Sequence, residues 1–110
     1  MVIPSVGDVV VLPFPFSDLS DSKMRPAVVL AEASRGDWIL CQITSNPYGD
    51  AQAVVIEQTD FESGMLRLKS YARPFKIFTA NQQIFVSVVG KLKRSKLTEI
   101  RLAIISALSK

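Results

Sequence analysis

The chain has 110 residues, 48% of them hydrophobic, with 13 Lys and Arg against 10 Asp and Glu, a net charge of +3 and no histidine. This is enough apolar mass for one core, which excludes disorder, and no apolar stretch reaches the roughly 18–20 residues of a membrane span. The lone Cys41 cannot close an internal disulfide, and the opening MVIPSVGD lacks the basic and apolar regions of a secretion signal, so a cytoplasmic protein is expected.

Gly7-Asp8 opens a first apolar run at 9–12, which Pro13 and Pro15 are expected to stop because proline has no N–H for a ladder. Residues 17–24 (SDLSDSKM) predict a loop. Pro26 stands at the entry of a second strand, 27–31, and Arg35-Gly36-Asp37 is a turn signal. A third strand covers 38–44, followed by a loop at 46–50 (NPYGD) and a short strand at 53–56. Residues 60–64 predict a turn, and 65–69 (MLRLK) alternate with the period of a half-buried strand. Pro74 interrupts an apolar run at 71–78, and 84–92 reads as a strand with a bulge or bend at Gly90. Leu97, Ile100, Ala103, Ile104, Ala107 and Leu108 form a stripe at helical spacing, with Ser95 as the expected N-cap and Glu99 near the positive end. Many short strands followed by one helix predict a mainly β chain: a small barrel with a C-terminal α-helix, one domain over 1–110.

Charge is divided unevenly along the chain. Residues 1–62 hold nine acids and three bases, and residues 63–110 hold ten bases and one acid, for net charges of −6 and +9. Solvated surface charge accounts for part of this. The other reading is a basic surface from Arg67, Lys69, Arg73, Lys76 and Lys91 that attracts a polyanion by counterion release.

The polar groups at strand ends are the candidates for chemistry. Arg25 precedes the second strand, and Thr44 and Ser45 end the third. A small barrel can bring these together. An arginine there is either plain surface or a phosphate clamp, since guanidinium is permanently charged and offers paired donors to phosphate oxygens. The hydroxyls either satisfy local backbone or donate to a phosphate or ribose oxygen. Without histidine there is no imidazole acid–base pair and no imidazole metal ligand. Cys41 lies in an apolar strand and reads as buried and inert. Trp38 and Phe14 suit the core, whereas Phe16 and Tyr48 lie in loops and suit base stacking.

The segments GDVVVLPFPFSDLS (7–20), KMRPAVVL (23–30), DWILCQITS (37–45), SYARPFKIFT (70–79) and IFVSVVGKL (84–92) together resemble the MazF/PemK family of bacterial toxins from toxin–antitoxin systems. The resemblance covers nearly the whole chain and rests on the order and spacing of short motifs. It implies an SH3-like barrel and a homodimeric, sequence-selective endoribonuclease that needs no metal or other cofactor. It also implies a cognate antitoxin partner. Arg25 and Thr44 match the family's catalytic arginine and threonine, Ser45 takes a supporting role in substrate binding, and Arg73 and Lys76 match its second basic element. Two departures stand out. Ser70-Tyr71-Ala72 replace the usual acidic-glutamine opening of that element, and the first loop carries Asp18 and Asp21 in place of a glycine-rich stretch. The reaction with the fewest requirements is cleavage of single-stranded RNA by its own 2′-hydroxyl, leaving 2′,3′-cyclic phosphate and 5′-hydroxyl ends. Alternatives from other classes are a non-catalytic toxin of the same fold that binds DNA gyrase, and a weak RNA- or DNA-binding regulator.

Overall fold

The structure is a computed structural model and describes residues 1–15 and 22–110. The described residues form seven strands and one helix: β1 (Asp8–Pro15), β2 (Ser22–Ser34), β3 (Asp37–Thr44), β4 (Val54–Ile56), β5 (Phe61–Gly64), β6 (Ser70–Asn81), β7 (Ser87–Leu92) and α1 (Arg94–Leu108). The strands join in one curled antiparallel sheet in the order β4-β6-β3-β2-β1-β7-β5. The predicted mainly β architecture with a C-terminal helix is present.

The first two strands run further than their prolines suggest. β1 continues through Pro13 and Pro15, which pair with Met24 and Ser22. The Val11 carbonyl accepts from the Val86 N–H at 2.8 Å, so odd-numbered residues of β1 turn their backbone polar groups toward the β7 side. β7 pairs with β1 only as far as Val11. The missing N–H groups of Pro13 and Pro15 therefore face a side where β7 has ended, and no ladder bond is lost. Pro26 lies inside β2, opposite Val11, just before pairing with β3 begins at Ala27 and Gln42.

Both faces of the sheet are buried, which is why the strands read as unbroken apolar runs. Val9, Val28, Cys41 and Ile43 join Leu97, Ile100 and Ile104 of α1 in one cluster. Val10, Leu12, Ala27, Val29 and Leu40, at the alternate positions of the same strands, join Trp38 and Phe85 in a second cluster on the opposite face. Each Val, Leu, Ile or Phe side chain so withdrawn from water contributes about 1.5–3 kcal/mol. Trp38 is a core residue, as expected, and its indole N–H donates to Gln82 Oε1 at 3.0 Å. Phe14 meets Phe78 edge-on at 4.9 Å.

The second half departs from the expected strands. Residues 60–64 are not a turn, because Phe61–Gly64 pairs with β7 as β5. Residues 65–69 are not a strand. Gly64 has φ +72°, and a Cβ there would lie 2.2 Å from the Val89 carbonyl oxygen, so only glycine lets the chain leave the sheet at this point. Met65 and Leu68 are exposed and only Leu66 packs on the core, so the alternating pattern is spent on a loop. β6 is continuous, but Ala72 pairs with Ile43 and Ile77 with Cys41, so residues 73–76 bulge out opposite Gln42. The stretch expected as 84–92 begins as a 3-10 turn, Gln82–Ile84, capped by Asn81, before β7. The bulge expected at Gly90 is there: a Cβ on Gly90 would meet the Phe61 ring at 2.8 Å.

The helix is held by a buried lysine rather than by a cap. Ser95 lies inside α1, and the N-cap position is Lys93, which makes no side-chain cap bond. Leu108 is exposed, and Ala107 closes the buried stripe instead. Lys96 is 8% exposed. Its Nζ donates to the Val55 carbonyl at 2.9 Å and lies 2.9 Å from Glu99 and 3.6 Å from Asp60. It ties the first turn of α1 to β4 and to the 3-10 turn Gln58–Asp60 that precedes β5. Lys96→Ala leaves the part-buried Val55 carbonyl and two carboxylates without their partner and should cost about 1–3 kcal/mol, read as a lower urea midpoint with an unchanged slope.

Cys41 is buried, and its thiol donates to the Arg73 carbonyl at 3.2 Å. Burial pushes the thiol up from 9.0 to about 12; the Arg73 backbone contact opposes this and the charge of Asp50 adds to it. The thiol should therefore resist alkylation at pH 8 until the protein unfolds. Its contribution to stability is complete below pH 9, where both states are protonated. It is lost as pH rises from 9.0 toward about 12, because only the unfolded thiol ionises there. Denaturant titrations at rising pH, compared with Cys41→Ala, measure this loss directly.

Candidate active site

The site follows from the register of three strands. β2 and β3 pair with Val28 opposite Cys41 and Ala27 opposite Gln42. Continuing that register by two residues sets Arg25 against Thr44, both on the face that carries Val29 and Leu40 deeper in the sheet. β6 closes the other side of β3, with Tyr71 opposite Thr44. The loop that leaves Gly64 returns to β6 over these strand ends. The result is a cleft of about 360 Å³ lined by Lys23, Arg25, Pro26, Ile43, Thr44, Ser45, Leu66, Arg67, Leu68 and Ser70, with Met24 at its rim. Among the described residues its lining carries three cations and no carboxylate.

Each polar group there has a distinct setting. Arg25 is half-buried, which brings its charge into a partly desolvated wall. Thr44 is 4% exposed. Its hydroxyl donates to the Asn46 carbonyl at 3.0 Å and accepts from the Asn46 N–H at 3.1 Å. One lone pair remains for a substrate hydroxyl, while donation to a phosphate requires release of the Asn46 carbonyl. Ser45 is exposed at the mouth. Ser70 donates to the Leu68 carbonyl at 2.8 Å and so fixes the loop that presents Arg67, an exposed guanidinium.

The other sequence candidates lie apart from this cleft. Tyr48 and Arg73 form a cluster with Asp50: Arg73 Nε donates to Asp50 Oδ2 at 3.2 Å, and the guanidinium carbon sits 5.9 Å from the centre of the Tyr48 ring. Arg73 is thus engaged by a carboxylate rather than held out as a free basic element. Lys76, at the end of the β6 bulge, lines an apolar groove of about 540 Å³ with Leu12, Phe14, Phe75 and Phe78. Phe16 lies outside the described residues. Lys23 had no place among the site residues expected from sequence, and Arg67 entered only as one member of the basic surface of the second half, not as part of the Arg25 site. Arg67 is three residues from the nearest strand on either side, and its one signal is the excess of positive charge after residue 62.

Comparison with known proteins agrees with this architecture. No curated protein matches the chain in sequence. The MazE–MazF complex (Form III) of Deinococcus radiodurans superimposes with a TM-score of 0.76 at 20% identity, over 98% of each chain. An endoribonuclease in complex with its cognate antitoxin, from a mycobacterial species, gives 0.75 at 16% identity, over 97% of this chain and 96% of that one. Mycobacterium tuberculosis toxin MazF-mt6 gives 0.72 at 18% identity, over 93% and 96%. At these identities the superpositions establish the fold. A sequence model of the PemK-like, MazF-like toxins matches residues 5–108, and on that match the chain belongs to the PemK-like, MazF-like toxin family of type II toxin–antitoxin systems.

Proposed function

We propose that this toxin is an endoribonuclease that cuts single-stranded RNA in a sequence-selective reaction without a metal ion. The observation that carries this reading is the cleft itself, where Arg25 and Arg67 flank the Thr44–Ser45 strand end with no carboxylate among the described lining residues. An internucleotide phosphate seated there meets guanidinium on two sides. The ribose 2′-hydroxyl gives up its proton to water and attacks the adjacent phosphorus, and the bond to the 5′-oxygen breaks as that oxygen takes a proton from water, leaving a 2′,3′-cyclic phosphate and a 5′-hydroxyl. Charge grows on the non-bridging oxygens as the new bond forms, and Arg25 stabilises that charge more than it stabilises the ground state. Thr44 shapes the wall through Asn46 and offers its remaining lone pair to the 2′-hydroxyl. Ser45, Arg67 and Lys23 hold the flanking backbone. The positive charge that a metal would supply is already present as guanidinium.

Two partners belong to the same reading. Neighbours of the same fold are complexes with antitoxins. For this toxin the fitting inhibitor is a peptide segment with acidic side chains for the cleft and apolar ones for the adjacent groove. The toxin acts in the cytoplasm as a homodimer. Phe75, Ile77 and Ile84 are exposed along the groove, and Val86 and Val88 are exposed at the start of β7, apolar surface suited to a second copy.

Arg25→Ala should lower cleavage by about 100-fold or more while the melting curve stays in place, and Arg25→Lys should recover little, since ammonium lacks the planar fork. Cleavage should persist in excess EDTA and stop when the 2′-hydroxyl at the cut is replaced by hydrogen. An active, folded Arg25→Ala protein, or cutting at the deoxy position, would overturn the mechanism.

Light scattering at micromolar concentration should give the mass of two chains. A monomer mass together with full activity would remove the homodimer.

A further inference from the structure

The loop after β3 carries an oddly placed tyrosine. The Asp50 N–H donates to the Pro47 carbonyl at 2.9 Å, closing a turn whose two central residues are Tyr48 and Gly49. Both have positive φ, 54° and 73°. This is the pattern of a type I′ turn, which favours Asn or Gly at its first central position. A bulky residue is strained there. The Tyr48 ring does not repay the strain by packing, because the residue is 68% exposed. Other groups hold it in place. Asn46 Oδ1 accepts from the Tyr48 N–H at 2.9 Å, and Thr44 in turn holds the Asn46 backbone. The Arg73 guanidinium lies on one side of the ring, and its approach is set by Asp50, whose second carboxylate oxygen accepts from the Gln52 N–H at 2.9 Å. The side chains of Arg73 and Asp50 are 22% and 11% exposed, so this cation is already neutralised and offers little to a phosphate.

We propose that Tyr48, backed by Arg73 and positioned by Asp50, is a one-sided stacking platform for a single unpaired nucleobase of the RNA cut at the Arg25 cleft. The inference rests on the ribonuclease reading above and deepens it. Every base has a π-face, and an aromatic ring held out in water with a cation behind it is suited to take one. The chain of bonds from Thr44 through Asn46 to Tyr48 ties the platform to the wall of the cleft. Arg73 then acts through the ring and Arg67 through the phosphate, which separates base reading from backbone holding.

The test uses full-length protein and three substitutions. Tyr48→Asn places a favoured residue in the turn, so it should melt no lower than the parent, yet raise KM about tenfold with kcat within about twofold. Tyr48→Trp should keep the parental KM. Arg73→Gln should weaken binding without flattening its salt dependence, whereas loss of a phosphate contact would lower that slope by about one. Stacking is read independently of cleavage with RNA 12-mers that carry one 2-aminopurine between random flanks, in Arg25→Ala protein so that the RNA stays whole. The probe should be quenched on binding, and the quenching should vanish with Tyr48→Asn. If the parent cuts RNA while Tyr48→Asn leaves KM and quenching unchanged, the platform is wrong and the ribonuclease reading stands. If the probe is quenched through Tyr48 but the parent cuts no RNA, the platform stands and the ribonuclease reading falls. If Tyr48→Asn melts below the parent and binds RNA equally well, the tyrosine is structural and the proposal is overturned.

Discussion

The register between β2 and β3 is the constraint on which the rest depends. Val28 opposite Cys41 places two buried side chains on one face, and Val29 opposite Leu40 places two on the other. Because both faces are buried, a slip of one residue would exchange every core position between two differently shaped clusters. The same register carries two residues further to the strand ends, where the side chains are no longer apolar. There it delivers Arg25 and Thr44 to one wall. These two side chains are therefore positioned by hydrophobic packing some distance away, and the precision of the cleft is borrowed from the core.

The second wall has a different origin. Gly64 turns the chain out of the sheet because its backbone lies against Val89 and Gly90 with no room for a side chain. The loop that results is anchored by Leu66 on the core, by the Met65 N–H on the Val89 carbonyl and by Ser70 on the Leu68 carbonyl. It carries Arg67 across the end of β3. Two guanidinia from segments about forty residues apart in sequence thus line one cleft.

Cations on this surface are not equivalent. Lys96 is consumed by the fold, bound to a carbonyl and two carboxylates under α1. Arg73 is paired with Asp50, and Lys91 leans on Ser5 and Asp8. The excess of nine positive charges after residue 62 adds such engaged cations to exposed ones such as Arg67. A basic half chain predicts attraction to a polyanion, but only geometry shows which charges remain available to it.

What was legible in the sequence was what local chemistry decides. Apolar runs bounded by glycine and proline marked β2 and β3, the period of 3.6 marked α1, and Arg25, Thr44 and Ser45 stood out because polar groups at strand ends have few local uses. The family motifs carried the same residues. Other features needed the folded chain. Pro13 and Pro15 read as breakers because a proline's cost depends on what lies beside its missing N–H, and that is set by how far β7 extends. Residues 65–69 read as a strand because alternation is scored without knowing that Gly64 must leave the sheet. Ser95 was expected to cap a helix that is instead pinned by Lys96, whose distant partners lie on β4 and in the turn before β5. Arg67 facing Arg25, and Asp50 claiming Arg73, are pairings between distant segments. A sequence specifies which groups exist and how each prefers to sit; only the closed sheet decides which of them meet, because side-chain electrostatics acts across space and not along the chain.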